Sequence, residues 1–466
     1  MASGLLHCRP MDRRSLAVFA ALAAACGSAH ETGAEGEPAW ECGTEPVLLL
    51  PLADGERAIV FPAGQRLVYW VVGGEDDPVW STDRCGGDRR MLAPALRGVQ
   101  ALSDGAVIGC DGDALVDIDP TGAQAPQLRL DDVECESARE TPHGLLVNGL
   151  PDGFTRPLQL DDQVLIPAVY DADLLDGGDA LLAVDDQARV VRVDLATRAI
   201  TVLQHDAVRV DPSPDGEAFV WQAFPRQSDV TPLYLSRDGS AVHLADGYTP
   251  LSPPYDEVAW TAGGGHVYIV GEFNDLVGLF DGGTGAVVEP PDHDWLGGAW
   301  PRGSTLSDGG VWLTRLDPGD RATELYWHPA NGAVTELWSD AVDRYFNRDA
   351  VDVGDGLARL VRDDAAATAG TLWHWSFAGE AREVGSAGLY LSVAGRTVLS
   401  VVADGGAGPV TALDLDTGAS AELDTGAVAI PAPAPFGDFV VYRKPGGMWA
   451  APAVKGHDLV DPSVGK

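Results

Sequence analysis

Residues 211–246 read DPSPDGEAFVWQAFPRQSDVTPLYLSRDGSAVHLAD, three extended runs separated by three breaks. Pro212-Ser213-Pro214-Asp215-Gly216 forms a turn, Glu217–Gln222 a short apolar run, and a polar loop follows. Leu233–Ser236 then alternate into Asp238-Gly239, and Ala241–Leu244 return. Asp-Gly between alternating runs predicts a tight hairpin, because glycine accepts the positive φ that such turns impose.

The same hairpin recurs along the chain. Its strands include Arg66–Val72, Ala114–Asp119, Arg156–Leu160 and Val190–Leu195 before this stretch. Val277–Phe280, Leu325–Trp327, Leu372–Trp375, Val410–Leu415 and Met448–Ala451 follow it. The spacing is roughly forty to fifty residues, with one shorter step between 156 and 190, and such a period of short strands and Gly/Asp turns marks a propeller. No apolar stripe of helical period follows a cap, so the expected fold is all-β. The S-P-D-G start and the L-Y-x-x-x-x-D-G hairpin resemble one repeat of the TolB-like, WD40-related β-propellers. Residues 46–466 are therefore expected to form a single propeller of about eight to ten four-stranded blades, against four to eight in ordinary rings. Ala412–Gly418 (ALDLDTG) also resembles the repeat of quinoprotein dehydrogenase propellers. Those repeats carry a tryptophan several residues after Thr-Gly; Glu422-Leu423 stand there instead, so the likeness reports a hairpin and implies no cofactor.

A ring must join its ends, or its terminal strand is left as a sticky edge. Val47–Leu52 (VLLLPL) is an apolar run in excess of the first unit, whose own strands are Ala58–Phe61, Leu67–Val72, Val79–Ser81 and Arg90–Ala93. The last unit, read as Val428–Ile430, Phe439–Arg443 and Met448–Ala450, is one strand short. Val47–Leu52 is expected to pack on that last unit, with Phe439–Tyr442 close by.

Processing signals set the compartment. Met11-Asp12-Arg13-Arg14 looks like the true start of a signal peptide covering residues 1–25, and Leu16–Ala25 is its apolar segment, too short to span a bilayer. The run Leu22-Ala23-Ala24-Ala25-Cys26 resembles the lipobox of bacterial lipoproteins, which implies lipid attachment at Cys26. Ala23 stands where leucine is usual, and small residues at 23 and 25 would also suit an ordinary signal peptidase. Residues 26–45, polar and Gly/Glu-rich, read as a tether. Gly27 lacks the aspartate associated with inner-membrane retention, which by that analogy favours an outer-membrane site, periplasmic or surface-facing.

Removing residues 1–25 takes three arginines and one aspartate, so 31 Lys+Arg against 70 Asp+Glu becomes 28 against 69, about −41. Such a field repels phosphates and anionic head groups, so nucleic acid is excluded as a partner and the membrane is met only through the lipid. Beyond Cys8 and Cys26, four cysteines remain: Cys42, Cys85, Cys110 and Cys135. An exported chain with an even count points to two disulfides; the sequence permits three connectivities, of which Cys42–Cys85 and Cys110–Cys135 are favoured because they link consecutive units.

Catalytic signatures are missing. There is no G-x-S-x-G, H-E-x-x-H, P-loop or full EF-hand pattern. Two acidic runs are weighed as Ca²⁺ ligands. Asp111, Asp113, Asp117 and Asp119 straddle a strand whose side chains alternate; Asp171, Asp173, Asp176 and Asp179 are read as a loop and are the better set. Aspartate is also the commonest turn former here, and no metal or cofactor is expected. Trp312, Trp327, Trp373 and Trp375 at alternate strand positions are read as wedges between blades. Two irregular links mix aromatics with charge: His293, Asp294, Trp295, Trp300 and Arg302 in one, and Arg344, Tyr345, Phe346 and Arg348 in the equivalent link one repeat later. They are the candidate face for a protein partner or carbohydrate, with plugging of a wide ring as the competing role. The expected function is a non-enzymatic, monomeric binding or scaffold propeller of the bacterial envelope. Its rival is a carbohydrate-active or lactone hydrolase or lyase using carboxylates and histidine on the channel face.

Overall fold

The structure, a computed structural model, describes residues 42–453, apart from 44, 54–55, 73–76, 176, 224–229, 249–256, 271–275, 289–298, 302–305, 307, 317–321, 329–332, 342–349, 363–366, 368, 389–390, 403–406, 429–433 and 437–438. Residues 1–41, on which the expectations of a signal peptide, a lipid attachment at Cys26 and most of a tether fall, thus lie outside the described residues. No described helix is long and apolar enough to cross a membrane.

The quoted stretch folds as its turns dictate. Strand Ala218–Ala223 pairs with Val230–Arg237, which pairs with Ser240–Tyr248, longer on both sides than the sequence pattern shows. Asp238 (φ 52°) and Gly239 (φ 77°) both take positive φ, the geometry that lets a two-residue turn follow the strand twist. In the S-P-D-G turn, Ser213 Oγ accepts from the Ala218 amide at 3.0 Å and donates to its carbonyl at 2.8 Å, which closes the loop on itself.

Among the described residues, nine antiparallel sheets follow one another in chain order. One is seven-stranded because strand Gln163–Leu174 serves two blades: its first half pairs with Arg156–Leu160 and its second half with Ala180–Asp185, across a register shift at Val169–Asp171. Counted so, there are ten blades: 57–93, 97–130, 133–168, 169–205, 207–248, 257–281, 299–341, 350–388, 392–427, and 434–452 with 47–51. This direct run from blade 3 into blade 4 explains the short step between 156 and 190. Among the described residues blade 6 has three strands, with an isolated Phe280–Val287 bridge at its outer side.

First strands of neighbouring blades adjoin: Arg57–Ala63 with Arg97–Ala101, that strand with Val133–Thr141, Gln163–Leu174 with Ala207–Pro212, and Ser392–Ala394 with Ala434–Phe436. They are therefore the innermost strands. Second strands are the most buried, Ala180–Asp185 throughout, whereas the outer strand Ile200–His205 is largely exposed. Apolar clusters join successive blades, for example Val68, Val79, Leu92, Val99 and Ile118 between blades 1 and 2. Trp312 and Trp375 act as the wedges expected of them, packed with Tyr326 and Leu357 between blades 7 and 8. Trp327 is buried and Trp373 partly so.

The ring closes on the N-terminal strand. Val47–Pro51 pairs antiparallel with Gly447–Pro452 and supplies the outer strand of blade 10. Leu49, Leu50 and Leu52 pack with Phe439, Val441 and Met448 of that blade and with Leu67, Tyr69 and Val71 of blade 1. The inner strand of blade 10 is Ala434–Phe436 rather than the Val428–Ile430 read from sequence: Val428 makes only an isolated bridge to Arg443 as the chain leaves blade 9. Disulfide Cys42–Cys85 ties the segment before the closing strand to the turn Asp83–Arg90 of blade 1. Arg89 of that turn donates to the Leu48 and Leu49 carbonyls, both at 3.1 Å.

Cys110–Cys135 joins blades 2 and 3 inside an apolar cluster with Ile108, Leu115 and Leu145. A cross-link enclosing this short a loop contributes about 3 kcal/mol by restricting the unfolded chain. Cys110→Ala/Cys135→Ala is expected to lower the unfolding free energy by that amount and to steepen the denaturant slope, because the released unfolded chain expands; a loss below about 1 kcal/mol would contradict a stabilising role.

Candidate functional site on the inner strands of blades 3 to 5

Chain direction fixes which side chains share a face. Each blade's first strand starts where the chain arrives from the previous blade, and its second-to-third-strand turn returns to that same face. A polar cavity of about 290 Å3 is lined by Arg139, Asn148 and Arg156 of blade 3, Val169, Asp171, Ala172 and Asp173 where blade 3 runs into blade 4, and Arg209, Val210 and Asp211 of blade 5. Asn148, Arg156 and Val169 stand towards that arrival face, whereas Arg139, Asp173 and Asp211 stand towards the first-to-second-strand turns of the other. Asp171 with Asp173, and Arg209 with Asp211, converge because residues two apart on a strand point the same way.

The cavity's charges are unevenly matched. Arg209 Nη2 donates to Asp211 Oδ1 at 2.9 Å, Arg156 Nη1 to Glu134 Oε2 at 2.6 Å, and the Val210 amide to Asp171 Oδ2 at 3.1 Å. Arg139 Nη1 stands 3.8 Å from Asp173 Oδ1, beyond hydrogen-bond reach, and the two side chains are 61% and 43% exposed. Burial pushes the Asp211 carboxyl up to about 7; Arg209 opposes this, and the charges of Asp171 and Asp173 add to it. Asp173 is also raised, by the enclosing protein and then by Asp171, against Arg139 and Arg209.

Beside the cavity, the second-to-third-strand turn of blade 3 presents an aromatic ring. Asp152 and Thr155 exchange backbone hydrogen bonds at 2.8 and 3.3 Å around Gly153-Phe154, and Gly153 takes φ 67°. Phe154 sits at the tip of this tight hairpin, 86% exposed, two residues before Arg156.

The sequence pointed elsewhere in part. Asp171 and Asp173 are not in a loop but in strand Gln163–Leu174, because their alternation with Ala172 and Leu174 continues the strand period. Asp179 is far along the chain's turn, bonded to His143 at 2.9 Å, and Asp176 lies outside the described residues. Among the described residues, no group of three or more carboxylate, histidine or cysteine side chains is placed to hold a metal. His293, Asp294, Trp295 and Arg302, and Arg344, Tyr345, Phe346 and Arg348, lie outside the described residues. Trp300 belongs to strand Ala299–Pro301, the inner strand of blade 7, rather than to an irregular link. Arg139, Arg156, Arg209 and Asp211 were not singled out from sequence; Arg139, Arg209 and Asp211 lie on first strands, where charge at alternate positions, as in Arg209-Val210-Asp211, is the signal, whereas Arg156 opens the third strand of blade 3.

Other carboxylates serve the turns. Asp194, Asp281 and Asp414 each accept from the amide and hydroxyl of a threonine three residues on, Thr197, Thr284 and Thr417, at 2.7–2.8 Å. The DLDTG likeness is this third-to-fourth-strand turn. Three histidine–aspartate pairs, His143–Asp179, His328–Asp308 and His374–Asp355, involve first-to-second-strand turns and so lie on the face opposite the Phe154 turn. Among the described residues no histidine lines the cavity.

The raised Asp211 has a signed consequence. Its folded value exceeds its unfolded one, so the folded state binds the extra proton and stability falls as pH rises from about 4 through 7. Melting temperature is expected to be higher at pH 5 than at pH 8, and Asp211→Asn is expected to flatten that slope. An unchanged slope in the variant would show that Asp211 does not titrate there. Threonine hydrogen bonds hold Asp194 and Asp281 below the usual carboxylate range, so their contribution is present above about pH 4 and is lost on further acidification.

No family model and no curated protein matches the chain. Solved structures that it resembles include a eukaryotic initiation factor, at 14% identity and a TM-score of 0.43 over 74% of this chain and 91% of that one. The β-propeller domain of Myceliophteria thermophila Cps50 (Swd1) matches at 15% identity and a TM-score of 0.29, over 60% of this chain and 99% of that one. An oligogalacturonate lyase in complex with manganese matches at 10% identity and a TM-score of 0.35, over 88% and 98%. At these values the likenesses carry no functional argument, and the propeller rests on the sheets themselves.

Proposed function

We propose that the chain is an exported, lipid-anchored propeller that works as a non-enzymatic binding module of the bacterial envelope, engaging its partner at the blade 3–5 cavity and the adjoining Phe154 turn. The observation that carries this is the pairing of that mixed-charge cavity with Phe154, an exposed aromatic held at the tip of a two-residue hairpin. A rigid aromatic beside unsatisfied charge is the chemistry of a recognition anchor. Residues 293–295 and 344–348 come before the inner strands of blades 7 and 8 in the chain, and we assign their aromatic and charged side chains to the recognition face that carries Phe154. Arg13, Arg14, the apolar run and Cys26 support the anchor; multiple acylation at that cysteine would give a firm hold, since one chain binds only marginally.

Affinity capture of the intact protein from its own envelope tests the binding reading. A partner that is retained by the natural protein and lost with Phe154→Ser, at unchanged melting temperature, supports it; retention by the variant contradicts it. Cys26→Ser is expected to abolish lipid labelling, and a variant that still labels would remove the anchor.

A second reading has one specific observation behind it: Asp211, pushed up to about 7, has the protonation behaviour of a general acid. Turnover of a polysaccharide or lactone that disappears in Asp211→Asn would favour a carbohydrate-active or lactone enzyme over the binding module.

A further inference from the structure

We propose that the blade 3–5 cavity binds a zwitterionic α-amino acid, its carboxylate taken by Arg139 and its ammonium by Asp173. This rests on the binding reading above and names the ligand class of that site.

Three features of the cavity select this chemistry. The first is the looseness of one ion pair: Arg139 and Asp173 face each other at 3.8 Å across the blade 3–4 junction, while the other two arginines hold carboxylates at 2.6 and 2.9 Å. A guanidinium and a carboxylate held close but unbonded can each exchange the other for a ligand group of opposite sign. The second is spacing, because the ammonium and carboxylate of an α-amino acid are carried on one carbon and so reach two adjacent, oppositely charged side chains at once. The third is size and lining. A cavity of about 290 Å3 takes a small molecule, not a folded element, and its wall is polar apart from Val169, Ala172 and Val210. Asp171 lies on the same strand face as Asp173 and adds negative charge to the ammonium side, while Arg209 is engaged by Asp211 on the blade 5 wall at 2.9 Å.

A lone amine would leave Arg139 without a partner, and a lone carboxylic acid would leave Asp173 so. Each unpaired charge in a partly desolvated site weakens binding, which gives discrimination against both halves.

The test uses the full chain without residues 1–25. The twenty standard α-amino acids are screened by thermal shift, and the best is titrated calorimetrically beside its decarboxylated amine and its deaminated acid. The amino acid is expected to bind at least about tenfold more tightly than either analogue. Arg139→Gln is expected to abolish discrimination against the amine, and Asp173→Asn against the acid, each at unchanged melting temperature without ligand. The assignment is overturned if no amino acid binds the folded protein, if the amine binds as tightly as the amino acid, or if both variants keep the natural preference. Capture of a partner through Phe154 with no amino-acid binding would overturn this ligand while leaving the binding reading intact.

Discussion

Deleting residues 42–52 is expected to destroy cooperative unfolding and to leave a protein that aggregates. The deletion exposes the hydrogen-bonding edge of Gly447–Pro452, which natural sheets avoid presenting to solvent. It also uncovers the surfaces of blades 1 and 10 that Leu49, Leu50 and Leu52 cover, side chains that are 0, 3 and 8% exposed. Burying each such leucine is worth about 1.5–3 kcal/mol, so the loss is comparable with the whole stability of an ordinary domain. The Cys42–Cys85 link goes with it. Calorimetry and light scattering read the result; an unchanged transition would mean that the strand is only part of the tether. Leu49→Asp is the milder version, placing an unpaired carboxylate in the same cluster, and it is expected to lower the melting temperature without removing the strand's backbone pairing.

Trp375→Ala is expected to cost about 3–5 kcal/mol, the usual penalty for truncating a buried aromatic. Its ring is 7% exposed and packs edge-on to Tyr326, with centroids 4.8 Å apart, so it bridges blades 7 and 8. Phe377 stacks on the same Tyr326 ring at 5.4 Å and meets the Trp375 indole edge-on at 6.1 Å, so the truncation removes one member of a three-ring cluster. The denaturant midpoint checks this. A loss under about 1 kcal/mol would show that the two blades do not depend on the aromatic wedge.

These effects were legible because they follow from local pattern. Short alternating runs punctuated by Asp-Gly and S-P-D-G announce hairpins whatever surrounds them, and the surplus VLLLPL run announces the closing strand by strand arithmetic. Pairing of the four cysteines follows from the same order of units. The site was less legible. Arg139, Arg156 and Arg209 are isolated charges in strands that otherwise alternate normally, and nothing along the chain says that blades 3, 4 and 5 bring them to one cavity. Asp171 and Asp173 were misplaced in a loop because the Asp- and Gly-rich run that follows them reads as a turn. The long strand that carries them is visible only once both of its neighbours are paired. Phe154 sits in a Pro-Asp-Gly-Phe turn whose composition marks a turn and gives no sign that its tip is an anchor.

The ten-bladed single ring is tested most directly by a cross-link across its closure. Val47 and Ala450 are opposed in the antiparallel pair that joins the two ends of the chain. Opposed side chains on such a pair have Cβ atoms about 4.5–5.5 Å apart, within reach of a disulfide after small adjustment. In a Val47→Cys/Ala450→Cys variant, oxidation should yield the cross-linked peptide pair by mass spectrometry, within the monomer and alongside the intact Cys42–Cys85 bridge. A folded variant that forms no such pair, or forms it only between molecules, would contradict closure of one ring by the N-terminal strand.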